Sequence, residues 1–300
     1  MKANWIPTNE YYHRVLDAPD TATREQLFVE LFIRPWQAMM NMVAPQPGAE
    51  GNDMLAGARA WGWLLPDQTD TIANLLGRLE AADAWRVGDA ALTEAIAHFA
   101  PYRDRIAFDQ ITGWLMLADP ARAHSPEEGY TGATDWTQPR FVGQFWDPNE
   151  DNLRQLPGLI AHEMHHLIRL HAFPWDMHNT SVADYIVTEG AAESFATALF
   201  GADNVISMVS DLQGEDFETA RRLIGAGLDK TGFNVIRGYI FGDDLAERWQ
   251  FEPVGGMPKY GGYAIGYHVV QAFLQRTGRS IEETTFIPAS QIVDESGFFA

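Results

Sequence analysis

Histidines crowd together at one place in this chain, Ala161-His162-Glu163-Met164-His165-His166-Leu167. His162 and His166 stand at i and i+4, so on a helix they share a face, with Cβ atoms about 5–6 Å apart. Two imidazoles so placed can point at one metal ion, and Glu163, one step round the helix, flanks the same point. The spacing His-Glu-x-x-His fits zinc-assisted hydrolysis: ligands for the metal, and a carboxylate to take a proton from the attacking water. By chance the pattern turns up in about one in fifty chains of this composition, so its weight depends on what surrounds it.

A catalytic zinc usually takes three protein ligands and leaves one position for water. The chain has no cysteine, so the third ligand is sought among Asp and Glu. Val187-Thr-Glu-Gly-Ala-Ala-Glu193 carries two glutamates at i and i+4 on the next expected helix. Glu189, 23 positions after His166, is the best candidate ligand. Glu193, one turn on, could accept a hydrogen bond from a ligating imidazole and so fix its tautomer; the reverse assignment of the two is the alternative. Zinc lowers the pKa of bound water to about 7, and Glu163 would take that proton and pass it to the leaving amine. The oxyanion needs a protein donor beside the metal. Tyr263, Tyr267 and His268, in Tyr260-Gly-Gly-Tyr-Ala-Ile-Gly-Tyr-His268, are candidates that spacing does not separate.

The elements that must carry these residues follow from periodicity. Asp151 or Asn152 can cap a helix with Pro157 in its first turns; it runs to about His171, with Leu156, Leu159, Ile160, Leu167 and Ile168 on its buried side. After a turn at 171–180, Ser181 and Asp184 form a capping-box pattern that opens the glutamate helix, and Gly201 sits where a C-terminal glycine belongs. Strand-like runs appear at 106–117 and 140–146, separated by a long polar loop at about 119–138, of a kind that often faces a substrate. Strand 140–146 is a candidate edge for pairing an extended peptide.

Residues 1–20 read as irregular. A helical pattern runs from Thr23 to Val43, which Pro35 should kink or break, with Met39, Met40 and Met42 as core filler. Helices are expected at about 52–63, 69–83 and 90–99, the last two capped by Asp67 or Asp70 and by Asp89. Further helices are expected at 203–210, 215–228 and 232–240, then from the tyrosine segment to about Arg276, with a short final one capped by Ser280. The fold class is α+β, mainly helical: a helical scaffold region at 1–104, then a zincin-like domain at 105–300 with a small sheet packed on the active-site helix and a helical C-terminal lobe.

Composition narrows the function classes. A formal net charge of −20 argues against nucleic acid or an anionic membrane as partner, since both select basic surfaces. No apolar run approaches the ~20 residues of a membrane span, and Met1-Lys2-Ala3-Asn4-Trp5-Ile6-Pro7 has no apolar core of a secretory signal. With no cysteine either, the expected compartment is the cytoplasm.

His-Glu-Met-His-His, Glu-Gly-Ala-Ala-Glu and Gly-Tyr-Ala-Ile-Gly-Tyr, with the closing Gly278-Arg-Ser-Ile and Ile292-Val-Asp-Glu-Ser-Gly297, resemble the family of predicted zinc-dependent proteases typified by YjaZ. The likeness covers roughly 105–297. The glutamate segment is also similar to the third-ligand helix of gluzincins, which implies Glu189 as ligand and Glu193 as its companion. Gluzincin spacing to that glutamate is often shorter, so the loop 171–180 should differ from theirs. The resemblance implies one zinc per chain and a peptide or protein substrate.

Two other readings compete. A di-iron carboxylate bundle would pair Glu163-x-x-His166 with Glu10-x-x-His13, but it leaves His162 unused. A binding module that kept a zincin scaffold without turnover would be favoured by loss of the base, whereas Glu163 is present. Of the other histidines, His165 points away from the pair and reads as structural, His171 and His178 read as surface or capping groups, and His13, His98 and His124 have no evident partner.

Overall fold

The first residues are not irregular: Lys2–Trp5 form a strand, β1, that pairs in parallel with Gln110–Leu117, β2. Their partner lies far along the chain, so the local pattern holds no trace of the pairing. β2 pairs in parallel with Arg140–Phe145, β4, and β4 pairs antiparallel with Tyr130–Thr134, β3. The sheet order is β1-β2-β4-β3. β4 is therefore an interior strand, and the expectation that it offers an open edge is corrected: β1 and β3 are the edges. β3 arises within the stretch expected to be loop, because a short strand containing Gly132 and flanked by turn residues carries little strand signal.

The computed structural model describes residues 1–38, 54–123, 128–135, 137–202 and 206–300. Met39, Met40, Met42, the expected loop at 44–48 and His124 lie outside them. The described residues group into two compact units, Met1–Ile96 with Phe108–Glu163 and Ala97–Ala107 with Met164–Ala300.

In the first unit α1 (Thr8–Leu16) is tied to β2 by buried polar contacts. Thr8 Oγ1 donates to the Leu115 carbonyl (2.7 Å) and accepts from Trp85 Nε1 (2.9 Å), while the Leu117 N–H donates to the Tyr12 hydroxyl (2.9 Å). Each bond satisfies a polar group that would otherwise be buried unpaired, which costs roughly 1–3 kcal/mol. Trp36 stacks on Trp114 with centroids 4.3 Å apart, and Trp63 meets Trp114 edge-on.

α2 (Thr21–Phe28) passes into a π turn at Val29–Ile33 and a 3₁₀ turn at Arg34–Trp36, so Pro35 breaks the helical run as expected. After α3 (Ala56–Ala60), α4 (Thr69–Ala81) and α5 (Ala84–His98) start at other residues than the aspartates proposed as caps. Gln68 holds the first cap position of α4, its carboxamide accepting from the Leu65 N–H (2.8 Å) and donating to Asp119 (3.1 Å). α5 begins just after Asp83, which takes a left-handed turn (φ 53°), and this leaves Asp89 inside the helix.

α6 (Glu150–Arg154) opens with a capping box between Asn149 and Asn152, not at Asp151, and leads into α7 (Leu156–Ala172), which carries the histidine motif. Leu159 lies against Gly143 of β4, so the sheet supports the first half of α7. The division between units falls inside α7, after Glu163.

The second unit is helical. α8 (Val182–Phe200) has the expected capping box: Ser181 Oγ accepts from the Asp184 N–H (3.1 Å), and Asp184 Oδ2 accepts from the Ser181 N–H (3.0 Å). It ends at Gly201, whose φ of 89° suits glycine. α9 (Ser207–Ser210), α10 (Gly214–Gly225), α11 (Phe233–Phe241) and an unexpected α12 (Asp243–Arg248) precede α13 (Gly261–Thr277). Ser280 caps α14 (Ile281–Thr284), but α15 (Ala289–Ser296) follows it as the last helix.

α8 and α13 cross at Gly190 and Gly266: a Cβ on Gly190 would overlap the Gly266 carbonyl, and one on Gly266 the Ile186 carbonyl. Arg169 is buried, and its Nη1 donates to the carbonyls of Thr285 (3.0 Å), Ile287 (3.2 Å) and Thr284 (3.5 Å), pinning the end of α14 to α7. Desolvation pulls the Arg169 pKa down to about 10, against the pull of Asp184 in the other direction. No helix among the described residues is long and apolar enough to cross a membrane.

Candidate metal centre

α7 is buried on nearly every side. Leu159, Ile160, Met164, Leu167 and Ile168 are buried, and so are His162, Glu163, His165 and His166. Polar groups are costly in such a place without partners, so the motif has to be accounted for by what it meets.

His165 meets structure. Its Nε2 lies 2.9 Å from Thr285 Oγ1, and its ring packs on Phe99 and Phe195. His162 and His166 meet Glu189 instead. One ligand atom from each of the three lies within 4.8 Å of the others, and His166 Nε2 is 3.4 Å from Glu189 Oε2. Donors held 2.0–2.2 Å from a tetrahedral zinc lie about 3.3–3.6 Å apart, so this spacing and the nitrogen-and-oxygen donor set both suit the metal. It is the one group of three or more potential ligands found among the described residues, and Glu10 and His13 of the di-iron alternative are not in it. His13 bonds Glu80 instead (2.8 Å).

Glu163 is held from the sheet. Thr134 Oγ1, at the end of β3, donates to Glu163 Oε2 (2.8 Å). Two residues earlier on the same strand, Gly132 lies so close that a Cβ there would overlap the Glu163 carboxylate. Neither residue carries a sequence signal of its own, because the strand that presents them was hidden in the polar loop.

Glu189 is held among helices. Tyr185 precedes it by one turn on α8, and Glu193 follows by one turn, so the three share a face. Glu193 Oε1 accepts the Ile206 N–H (3.0 Å). Burial pushes the Tyr185 hydroxyl up to about 12; Arg237 counters this, and the charge of Glu189 adds to it. Burial, then the charge of Glu189, holds Tyr263 well above the ordinary phenol value, with Arg237 pulling the other way. Tyr263 thus shares an electrostatic environment with Glu189.

Tyr267 and His268 are placed differently. Tyr267 is partly exposed, and its ring meets that of His268 edge-on at 5.6 Å. His268 is exposed and packs against Phe217 at 4.9 Å, and what burial it has lowers its pKa. Of the remaining histidines, His171 Nε2 accepts the Ala107 N–H (3.1 Å), and His98 bonds Glu282 (2.9 Å). Tyr185 and Arg237 were not singled out in the sequence. The i, i+4 relation of Tyr185 to Glu189 is the signal that could have found the first.

The chain matches the family model described as "Predicted Zn-dependent protease (DUF2268)" over residues 84–294. It is similar to "Uncharacterized protein YjfC" of Bacillus subtilis (strain 168), 31% identical over 296 residues, which cover 98% of this chain and 97% of the relative. That likeness extends through the N-terminal hundred residues, in keeping with β1 being part of the sheet. No solved structure matches the chain. On the family model and on this full-length relative, the chain belongs to the family of predicted zinc-dependent proteases.

Proposed function

We propose that this chain is a zinc-dependent peptidase, with one zinc held by His162, His166 and Glu189 and with Glu163 as general base. The observation that carries the reading is the convergence of two imidazoles and a carboxylate, all buried, beside a fourth residue that can move a proton. Zinc bound there supplies Lewis acidity to water and to the peptide carbonyl. Glu163 accepts the proton of the attacking water and delivers it to the leaving amine nitrogen. Thr134 keeps the carboxylate in one orientation while this happens.

Tyr263, protonated at neutral pH, is the donor we assign to the developing oxyanion, in preference to Tyr267 and His268. Glu193 supports the ligand shell from the next turn of α8. An extended peptide would add to β3, whose outer edge has no strand partner among the described residues, and main-chain bonds there would give affinity with little sequence preference. The cysteine-free composition permits work in the cytoplasm, where we expect it.

Metal analysis by mass spectrometry tests the reading. One zinc per chain is expected in the wild type and in Glu163→Gln, and none in Glu189→Ala. A peptide library should be cleaved by the wild type and not by Glu163→Gln. Two irons per chain, or no metal after reconstitution, would sink it.

A further inference from the structure

Arg237 is a cation with no carboxylate in ion-pair contact among the described residues, and its hydrogen-bonding capacity is not filled. It lies on α11, and its guanidinium sits over the rings of Phe233 (4.2 Å), Phe251 (5.1 Å) and Phe241 (5.6 Å). Its Nε is buried with no hydrogen-bond acceptor. It forms no ion pair with a carboxylate among the described residues, in a chain with 41 acidic residues against 21 basic ones. Aromatic faces attract a guanidinium by about 0.5–2 kcal/mol, but they do not satisfy its N–H donors.

This cation stands beside the centre described above. The Phe241 ring that flanks Arg237 is 6.0 Å from the ring of Tyr263. α11 and α13 approach so closely that a Cβ on Gly262, the residue before Tyr263, would meet the backbone of Ile240. α13 in turn crosses α8 at Gly190, the residue after Glu189. The charge of Arg237 acts on the hydroxyls of both Tyr185 and Tyr263, the two groups that also feel Glu189.

We propose that Arg237 is a binding residue for a carboxylate of the substrate, which it anchors while the neighbouring peptide bond is presented to the His162, His166 and Glu189 centre. A guanidinium fork matches a carboxylate with two parallel N–H···O bonds, and the three rings exclude water and strengthen the pair. The carboxylate has two possible sources, the free C-terminus of a peptide or an acidic side chain. The first makes the protein a peptidase that trims C-terminal residues, releasing an amino acid as water adds across the C–N bond; the second makes it cut near acidic residues. This inference rests on the peptidase reading for the fate of the bound peptide, but not for the binding itself.

The test is calorimetric titration of the zinc-loaded Glu163→Gln protein, which binds without turnover. Three probes are used: hexa-alanine with a free C-terminus, its C-terminal amide, and the amide carrying one penultimate glutamate. The acid should bind at least about tenfold tighter than the plain amide, and Arg237→Met, which keeps apolar packing against the rings, should abolish the difference. Arg237→Lys, with the charge but without the fork, should keep part of it.

Tight binding of the acid alone assigns the site to a C-terminus, and tight binding of the glutamate-bearing amide assigns it to side chains. Failure of both carboxylate probes to bind better than the plain amide, or a preference that survives Arg237→Met, overturns the proposal. The comparison of both probes with the plain amide needs no substitution at Arg237, so it stands even if those variants fail to fold. Absence of zinc, or of cleavage by the wild type, would count against the peptidase reading instead, because carboxylate preference is read from binding.

Discussion

Two buried glutamates, Glu163 and Glu189, each lie next to a glycine, and the two glycines serve different ends. At Gly132 the space left by the missing side chain is filled by the Glu163 carboxylate, the mobile end of a side chain. At Gly190 it is filled by the Gly266 carbonyl, part of a rigid helix backbone. The surroundings differ in the same sense. Glu163 is oriented by a hydroxyl on the sheet edge, whereas Glu189 is set by the crossing of two long helices with Tyr185 and Tyr263 nearby. On the proposed roles, Glu163, as a group that takes up and gives back a proton, gains from a light hold, and Glu189, as a ligand at a fixed distance from a metal, gains from a stiff one.

The comparison breaks most visibly at the helix crossing. Gly190→Ala puts a methyl on the Gly266 carbonyl, so α8 and α13 must separate. Overpacking of this kind costs roughly 1–3 kcal/mol or more, against a helix-propensity gain of about 1 kcal/mol. The expected outcome is a net loss of about 2 kcal/mol, a fall in Tm of several degrees, and weaker zinc binding because Glu189 moves with its helix. Gly77→Ala in α4 is the control, since a Cβ there meets nothing within 4 Å. It should raise stability by roughly 0.5–1 kcal/mol. Thermal denaturation of both variants checks the pair; two shifts of the same sign would show that the crossing is not what requires glycine.

Gly132→Ala should act on chemistry and spare the fold. The new methyl meets the carboxylate and Cγ of Glu163, a side chain rather than a backbone, so Glu163 must turn aside while the strand keeps its place. Displacing a general base removes a contribution typically of 10²–10⁴ in rate, so peptide hydrolysis should fall by about a hundredfold. Zinc content and Tm should stay near the wild-type values. A variant that keeps full activity, or one that loses its zinc, would contradict the proposed role of the Glu163 side chain that packs against Gly132.

These outcomes also mark what was legible in the sequence. The end of α7 and both ends of α8 were readable to within a residue or two, because their buried faces repeat at helical spacing and Ser181, Asp184 and Gly201 mark the ends of α8, whereas the single helix expected from Asp151 or Asn152 is divided into α6 and α7. His162 and His166 followed from i, i+4 spacing on α7, while spacing on α8 left Glu189 as the preferred ligand with Glu193 as the alternative, and the structure groups Glu189 with the two histidines. β1 and β3 were not readable, since a four- or five-residue strand is defined by its partner, and the partner of β1 is β2, far along the chain. Thr134, Gly132 and Arg237 were missed for the same reason. Each bears on the site only through long-range packing, and none repeats with its neighbours along the chain.

The smallest expected effect is at Thr134, and it separates orientation from mere packing. Its hydroxyl donates to Glu163 Oε2 at 2.8 Å from a partly exposed strand end. Thr134→Val keeps the β-branched shape and removes the donor, leaving the carboxylate to find its own orientation. A hydrogen bond to a charged group contributes about 1.5–3 kcal/mol when fully buried and less where water can substitute. A roughly tenfold fall in kcat is expected, with KM, zinc content and Tm little changed. Thr134→Ser restores the hydroxyl without the methyl, so it should recover most of the lost rate. If Val and Ser variants lose activity equally, the methyl packing of Thr134 matters as much as its hydrogen bond; full activity in the Val variant would show that the hydrogen bond does not matter. Rescue by serine alone would show that the sheet edge contributes an orienting donor.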